Sequence, residues 1–303
     1  MGNHLVFYYH ALVSAIIDER NFFDEQRDFQ TGDVFLRELP GSFSYSRELI
    51  AYHKILEQQG WTMSQFQHAV PMGVAFWETT ERRIEKIHET MRPLMHDILS
   101  NALEQAGLYV SIDRPVIHFR CADTPFIRHP SYNLQKLCFF TQALQDAERA
   151  LGTNITRFID VTLLSSVKHS SQNDLEQPDL DHNACVDYMG YVVLELQEAG
   201  YKVEIINNGS VLEDFARLFY APVVISTSSS FSFFACYFGD GWCATATHGR
   251  TQQGVEFCEG CSDRMYLGVN LNHADVVDYH DTRTVLSQLN TSCPERTGHP
   301  QYN

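Results

Sequence analysis

Hydrophobic and polar positions divide the chain into two halves with different patterns. From Val116 onward, short apolar runs alternate with longer stretches in which apolar residues recur every three to four positions. The runs predict strands at 116–120, 157–164, 202–207, 223–227 and 242–247. The intervening stretches predict helices at 132–151, 182–199, 211–220 and 229–238, the second ended by Gly200. Strands alternating with helices of this length build right-handed βαβ units and a parallel sheet. Apolar runs such as VVIS suit strands covered on both faces.

The first half is less regular. Leu5 to Tyr9 reads as a short β-rich run, followed by a polar and aromatic stretch. Ser46 to Gln59 predicts a helix that Gly60 ends. Thr79 to Gln105 predicts the longest helix, with Ile84, Ile87, Met91, Met95, Ile98 and Leu99 on one face. Pro93 predicts a kink in it, and Gly107 a stop.

Open parallel sheets bind ligands beyond the carboxyl ends of their strands. The residues just after Arg120, Leu164, Asn207 and Thr227 are therefore the ones to search. In His118-Phe-Arg120-Cys-Ala-Asp123, period two puts His118 and Arg120 on one side of the strand. A guanidinium at the carboxyl end can hold a diphosphate through forked, charge-assisted bonds. The same residues also suit a buried Arg120–Asp123 ion pair that only fixes the loop. Ser226 to Ser232 is a hydroxyl-rich turn between a strand and a helix start. Helix N-termini expose N–H groups and a positive dipole end, where a phosphate fits. Simple capping by one serine is the plainer use, and six hydroxyls in seven residues exceed it. Cationic forks and N–H donors together would stabilise a departing diphosphate.

Other positions are less decided. Ser165 to Asp181 reads mainly as a solvated acidic loop that could touch a base or ribose. Asn207 and Asn208 end a strand and could do the same, but NG is also a turn signal. The first half is expected to supply the acceptor side. An inverting transfer needs a base there, and His10, Asp18, Glu19 and Asp33 are the candidates.

With 303 residues the chain suits one large α/β domain or two ordinary ones. Its formal net charge of −16 argues against nucleic-acid binding, which relies on basic grooves, and against a polybasic membrane contact. No apolar run is long enough to predict an integral membrane segment. Five of the eight cysteines (Cys121, Cys138, Cys185, Cys236 and Cys243) fall in or beside predicted elements and read as buried free thiols. Cys258 and Cys261 form a CxxC that lacks the second pair a zinc site needs. Free thiols and an opening stretch without a basic leading region lead us to expect a cytoplasmic chain. The sequons at Asn154, Asn208 and Asn290 keep a secretory location open.

VIHFRCAD (Val116 to Asp123) resembles the HxRxxD-type motif of inverting fucosyltransferases, where HVRRGD is typical. STSSSFSFF (Ser226 to Phe234) resembles the later Ser-rich motif of the same enzymes. The wider stretch VIHFRCADTPFIRHPSYNLQKLCFF is similar to glycosyltransferases of large algal viruses and their algal relatives, one described as a xylosyltransferase. The resemblance covers roughly the second half. It implies an α/β, GT-B-like fold: two Rossmann-like domains facing a central cleft, with the parallel sheet in the C-terminal half. Residues 1–110 would form the acceptor-side domain, 111–280 the nucleotide-sugar domain, and 281–303 a tail, with a return to the first domain as one course for it. It also implies metal-independent transfer of xylose or fucose from a UDP- or GDP-linked donor to a glycan hydroxyl, without a cofactor. The diphosphate role maps to Arg120, and the phosphate-binding turn to Ser228, Ser229, Ser230 and Phe231; His118 and Asp123 belong to the first motif. Cys121 and Ala122 stand where the family has Arg and Gly, which puts GDP-fucose in doubt and leaves UDP-xylose open; Arg128 is the candidate for the missing charge. For a viral chain the expected location is the host cytoplasm.

A catalytically silent nucleotide-sugar or glycan binding protein would show the same motifs. An α/β hydrolase is disfavoured because no GxSxG occurs at a strand-to-helix turn. A sulfotransferase-like use of the phosphate sites lacks a P-loop lysine.

Overall fold

The computed structural model describes residues 2–20, 22–23, 42–43, 47–70, 83–110, 113–121, 134–152, 158–166, 182–207, 209–227, 229–246 and 265–268. The predicted sites Asp33, Asp123, Arg128, Ser228 and Asn208 lie outside them. So do the CxxC, the loop from 167 to 181, the sequons at Asn154 and Asn290, and the tail from 281.

The first half begins with helix α1 (Gly2–Ile17). A two-stranded antiparallel ladder follows, β1 (Phe22–Phe23) and β2 (Ser42–Phe43). Three more helices are α2 (Arg47–Gln58), α3 (Met63–Ala69) and α4 (Arg83–Ala106). Thr62 and Gln65 cap α3 reciprocally. Gly60 and Gly107 follow α2 and α4 with positive φ, the conformation that suits a helix stop. Helix α4 runs through Pro93, which lies on its exposed side.

One expectation fails here. Leu5 to Tyr9 is not a strand but part of α1. Its buried residues Leu5, Tyr8, Tyr9, Leu12, Val13 and Ile16 recur at three-to-four spacing. A window of five residues misses that period, and the full helix shows it.

The second half alternates as the sequence predicts. It runs β3 (Val116–Arg120), α5 (Leu137–Leu151), β4 (Asp160–Ser166), α6 (His182–Glu198), β5 (Lys202–Ile206), α7 (Val211–Tyr220), β6 (Val223–Ser226), α8 (Ser230–Phe238) and β7 (Trp242–Ala246). A further strand, β8 (Met265–Gly268), joins them. The six strands form one parallel sheet in the order β5-β4-β3-β6-β7-β8. Counted from β3, this is 3-2-1-4-5-6, the Rossmann order, whose switch point lies between β3 and β6.

Alternation along the strands separates two cores. Val116, Leu164 and Val224 face one, shared with α1, α2, α3, α4, α7 and α8. Ile117, Phe119, Leu163 and Ile225 face the other, filled by α5 and α6. The first-half helices thus pack onto the same side of the sheet as α7 and α8. Helix α4 ties itself there: Arg92 Nη2 donates to the Tyr237 carbonyl at 3.3 Å, and His96 Nε2 lies 3.1 Å from that of Phe238. Both residues satisfy carbonyls at the end of α8 that the helix leaves open.

The cysteines overturn the free-thiol reading. Cys121, one residue past β3, is bonded to Cys185 on α6, and Cys236 on α8 to Cys243 on β7. Cys138 is disulfide-bonded too. Cys121 and Cys185 both lie in the α5–α6 core. An apolar setting suits a thiol and a disulfide alike, so the run of residues around each cysteine does not distinguish them.

Candidate functional site

At the switch point, β3 and β6 deliver the two predicted motifs to one place. Val116, His118 and Arg120 share a strand face, and Val116 marks it as the side covered by α7 and α8. His118 is buried beneath the start of α8. Its Nδ1 lies 2.8 Å from Ser232 Oγ, and its ring centroid 5.7 Å from that of Phe231. Ser226 Oγ is 2.6 Å from the same Ser232 Oγ, and Ser232 donates to the Ser229 carbonyl at 3.3 Å. Burial, aided by the Arg120 charge, lowers the His118 pKa to about 3. The ring is therefore a neutral hydrogen-bonding pin between β3, β6 and α8.

These bonds sort the hydroxyls of the serine-rich turn. Ser226, Thr227 and Ser232 are buried and spent on holding the turn to β3. Ser229 is the N-cap residue of α8, and its side chain makes no cap hydrogen bond. Ser230 is partly exposed at the first helical position. The far end of α8 is satisfied by Arg92 and His96, while its N-terminal end, with the positive pole of its dipole, follows the carboxyl end of β6. Arg120, half-buried, leaves β3 beside it. An anionic group seated here would meet a guanidinium from one strand and a helix N-terminus from the next.

The other predicted residues lie elsewhere. His10 is in the middle of α1, not at a strand end. It packs on the Phe66 ring at 5.9 Å, and burial lowers its pKa to about 4. Its neighbour Tyr9 stacks on Phe238 at 4.8 Å and places its hydroxyl 2.8 Å from His88 Nδ1. This cluster sits at the C-terminal end of α8, about 12 Å by helical rise from the first turn. Asp18 pairs with Arg20 at 3.7 Å, and Glu19 with His53 Nε2 at 3.0 Å. Asn207 is exposed after edge strand β5, two strands and about 10 Å from β3.

Two residues of this arrangement escape a sequence reading. Thr227 bridges β3 and β6 through its side chain; a β-branched residue at a strand end was the only sign. His88 stands in the apolar stripe of α4 between Ile84 and Met91, a polar residue where the period wants an apolar one.

No model of a known protein family matches the chain, and no match is found among curated proteins or solved structures. Among the described residues, no helix is long and apolar enough to cross a membrane.

Proposed function

We propose that the chain is a glycosyltransferase that binds a nucleoside diphosphate sugar at the β3–β6 crevice and transfers the sugar to a glycan hydroxyl with inversion. The observation that carries this reading is the Arg120 backbone bonded to Thr227 Oγ1, two residues before the N-cap of α8, at the switch point of a 3-2-1-4-5-6 sheet. In the reaction, the acceptor oxygen bonds to the anomeric carbon as the bond to the diphosphate breaks. A base takes the acceptor proton. Arg120 and the α8 turn hold the charge that collects on the leaving diphosphate, with Arg128 as a second cation; this reading asks for no metal. Xylose or fucose on UDP or GDP is the donor. Residues 1–110 bear the acceptor side.

A catalytically silent nucleotide-sugar binder is the second reading, favoured by the place of His10 at the other end of α8 from the crevice.

Thermal-shift titration with UDP, GDP, UDP-xylose, GDP-fucose and UDP-glucose, with and without manganese, tests the donor site. A selective rise for one nucleotide supports it. Arg120→Ala should keep the fold and lose about 100-fold in donor affinity, the loss of two strong charge-assisted bonds. Full affinity in that variant would refute the assignment. Donor hydrolysis or transfer by a chain that binds would separate enzyme from silent binder.

A further inference from the structure

The two central strands part at a definite rung. Pairing of β3 with β6 ends at His118 opposite Ser226, while pairing of β3 with β4 continues to Arg120 opposite Ser166. Had β6 run on, the Arg120 N–H would have been received by the Thr227 main-chain carbonyl. Instead the Arg120 N–H donates to Thr227 Oγ1 at 2.9 Å. That hydroxyl donates in turn to the His118 carbonyl at 2.7 Å, the carbonyl that also accepts the Thr227 N–H at 3.3 Å. One buried side chain thus replaces the missing rung. It keeps β3 straight as far as Arg120 and releases the β6 backbone into the turn that starts α8.

We propose that Thr227 is a positioning residue of the diphosphate site: its hydroxyl fixes where the Arg120 backbone stands relative to the first turn of α8. The inference rests on the diphosphate reading above. It assigns Thr227 no contact with the ligand. Its effect runs through Arg120, so it falls on the diphosphate and not on the nucleoside.

The experiment is calorimetric titration of wild type, Thr227→Ser and Thr227→Val with UDP, GDP, uridine and guanosine. Amide hydrogen exchange at Arg120 is measured on the same proteins without ligand. Thr227→Ser keeps the hydroxyl and should restore wild-type affinity. Thr227→Val keeps the shape and should weaken diphosphate binding by about ten-fold or more, as a displaced binding group does. It should leave nucleoside binding nearly unchanged and deprotect the Arg120 amide. Should the valine variant not fold, Thr227→Ala against Thr227→Ser makes the same comparison. A hydroxyl-free variant that keeps the full preference for diphosphate over nucleoside, or full protection at Arg120, overturns the inference alone. A wild-type chain that binds neither UDP nor GDP overturns the diphosphate reading and this inference with it.

Discussion

Acid should unfold this protein through three histidines. His10, His88 and His118 are buried, and burial lowers their pKa values to about 4, 3 and 3. Positive charge nearby adds to this at two of them: His10, when protonated, and Arg92 at His88, and Arg120 at His118. In the unfolded chain each titrates near 6.5. Between these values the unfolded state binds protons that the native state refuses, so stability rises with pH across the window. It is complete above 6.5, falls as pH drops below that, and levels off only below about 3 to 4. At pH 5 the gap to 6.5 is 1.5 units, which costs about 2 kcal/mol per histidine and about 6 kcal/mol for the three. That is comparable to the whole stability of an ordinary domain. Urea unfolding at pH 7 and pH 5, at fixed salt, measures it. His118→Asn isolates one contribution, because an amide can still reach Ser232 Oγ but does not titrate. The drop from pH 7 to pH 5 should be smaller by about 2 kcal/mol in the variant than in wild type. Carboxylate titration affects both proteins alike and cancels. Equal drops in the two would refute the claim that buried, neutral His118 couples folding to pH.

Three other outcomes follow from the geometry. Ser230→Glu places a negative charge in the first turn of α8; it should raise stability by about 0.5 kcal/mol yet weaken diphosphate binding, a pair of opposite signs read by thermal shift with and without UDP. A Cβ on Gly241 would overlap the Ala221 carbonyl oxygen, a backbone atom that cannot swing aside; Gly241→Ala should cost on the order of 3 kcal/mol in urea unfolding. Cys121 and Cys185 close a loop of sequence separation 64, so Cys185→Ser should cost about 4 kcal/mol on the chain-entropy account, and dithiothreitol should lower the melting point of wild type but less that of the variant.

Much of the second half was legible because each element carries its own period and its own stop. Helix α7 spans Val211 to Tyr220 as the pattern predicts, with Ser210 and Glu213 forming a capping box at its start. Strand β3 also matches, since VIHFR is a closed β-rich run. Helix α1 was lost because aromatic and β-branched residues crowd its start, and local propensity favoured a strand over the longer period. The serine-rich turn was legible as polar, but not which hydroxyls it uses. Ser226 and Ser232 meet His118 only once α8 folds back over β3. The disulfides are of the same kind: Cys121 and Cys185 are adjacent only after α6 packs on the sheet.

The crevice joins residues that the chain makes far apart: 107 positions separate Arg120 from Thr227, and 114 separate His118 from Ser232. At ordinary rates of synthesis, on the order of ten seconds pass between making the two sides. During that interval β3, α5, β4, α6 and β5 can assemble, but the flank of β3 that awaits β6 is a bare edge. Such an edge invites pairing with other chains. A nascent or truncated chain that stops before the β6–α8 turn therefore carries no partial pocket. It carries a sticky strand, and the β6–α8 stretch that emerges later both closes that edge and completes the proposed site.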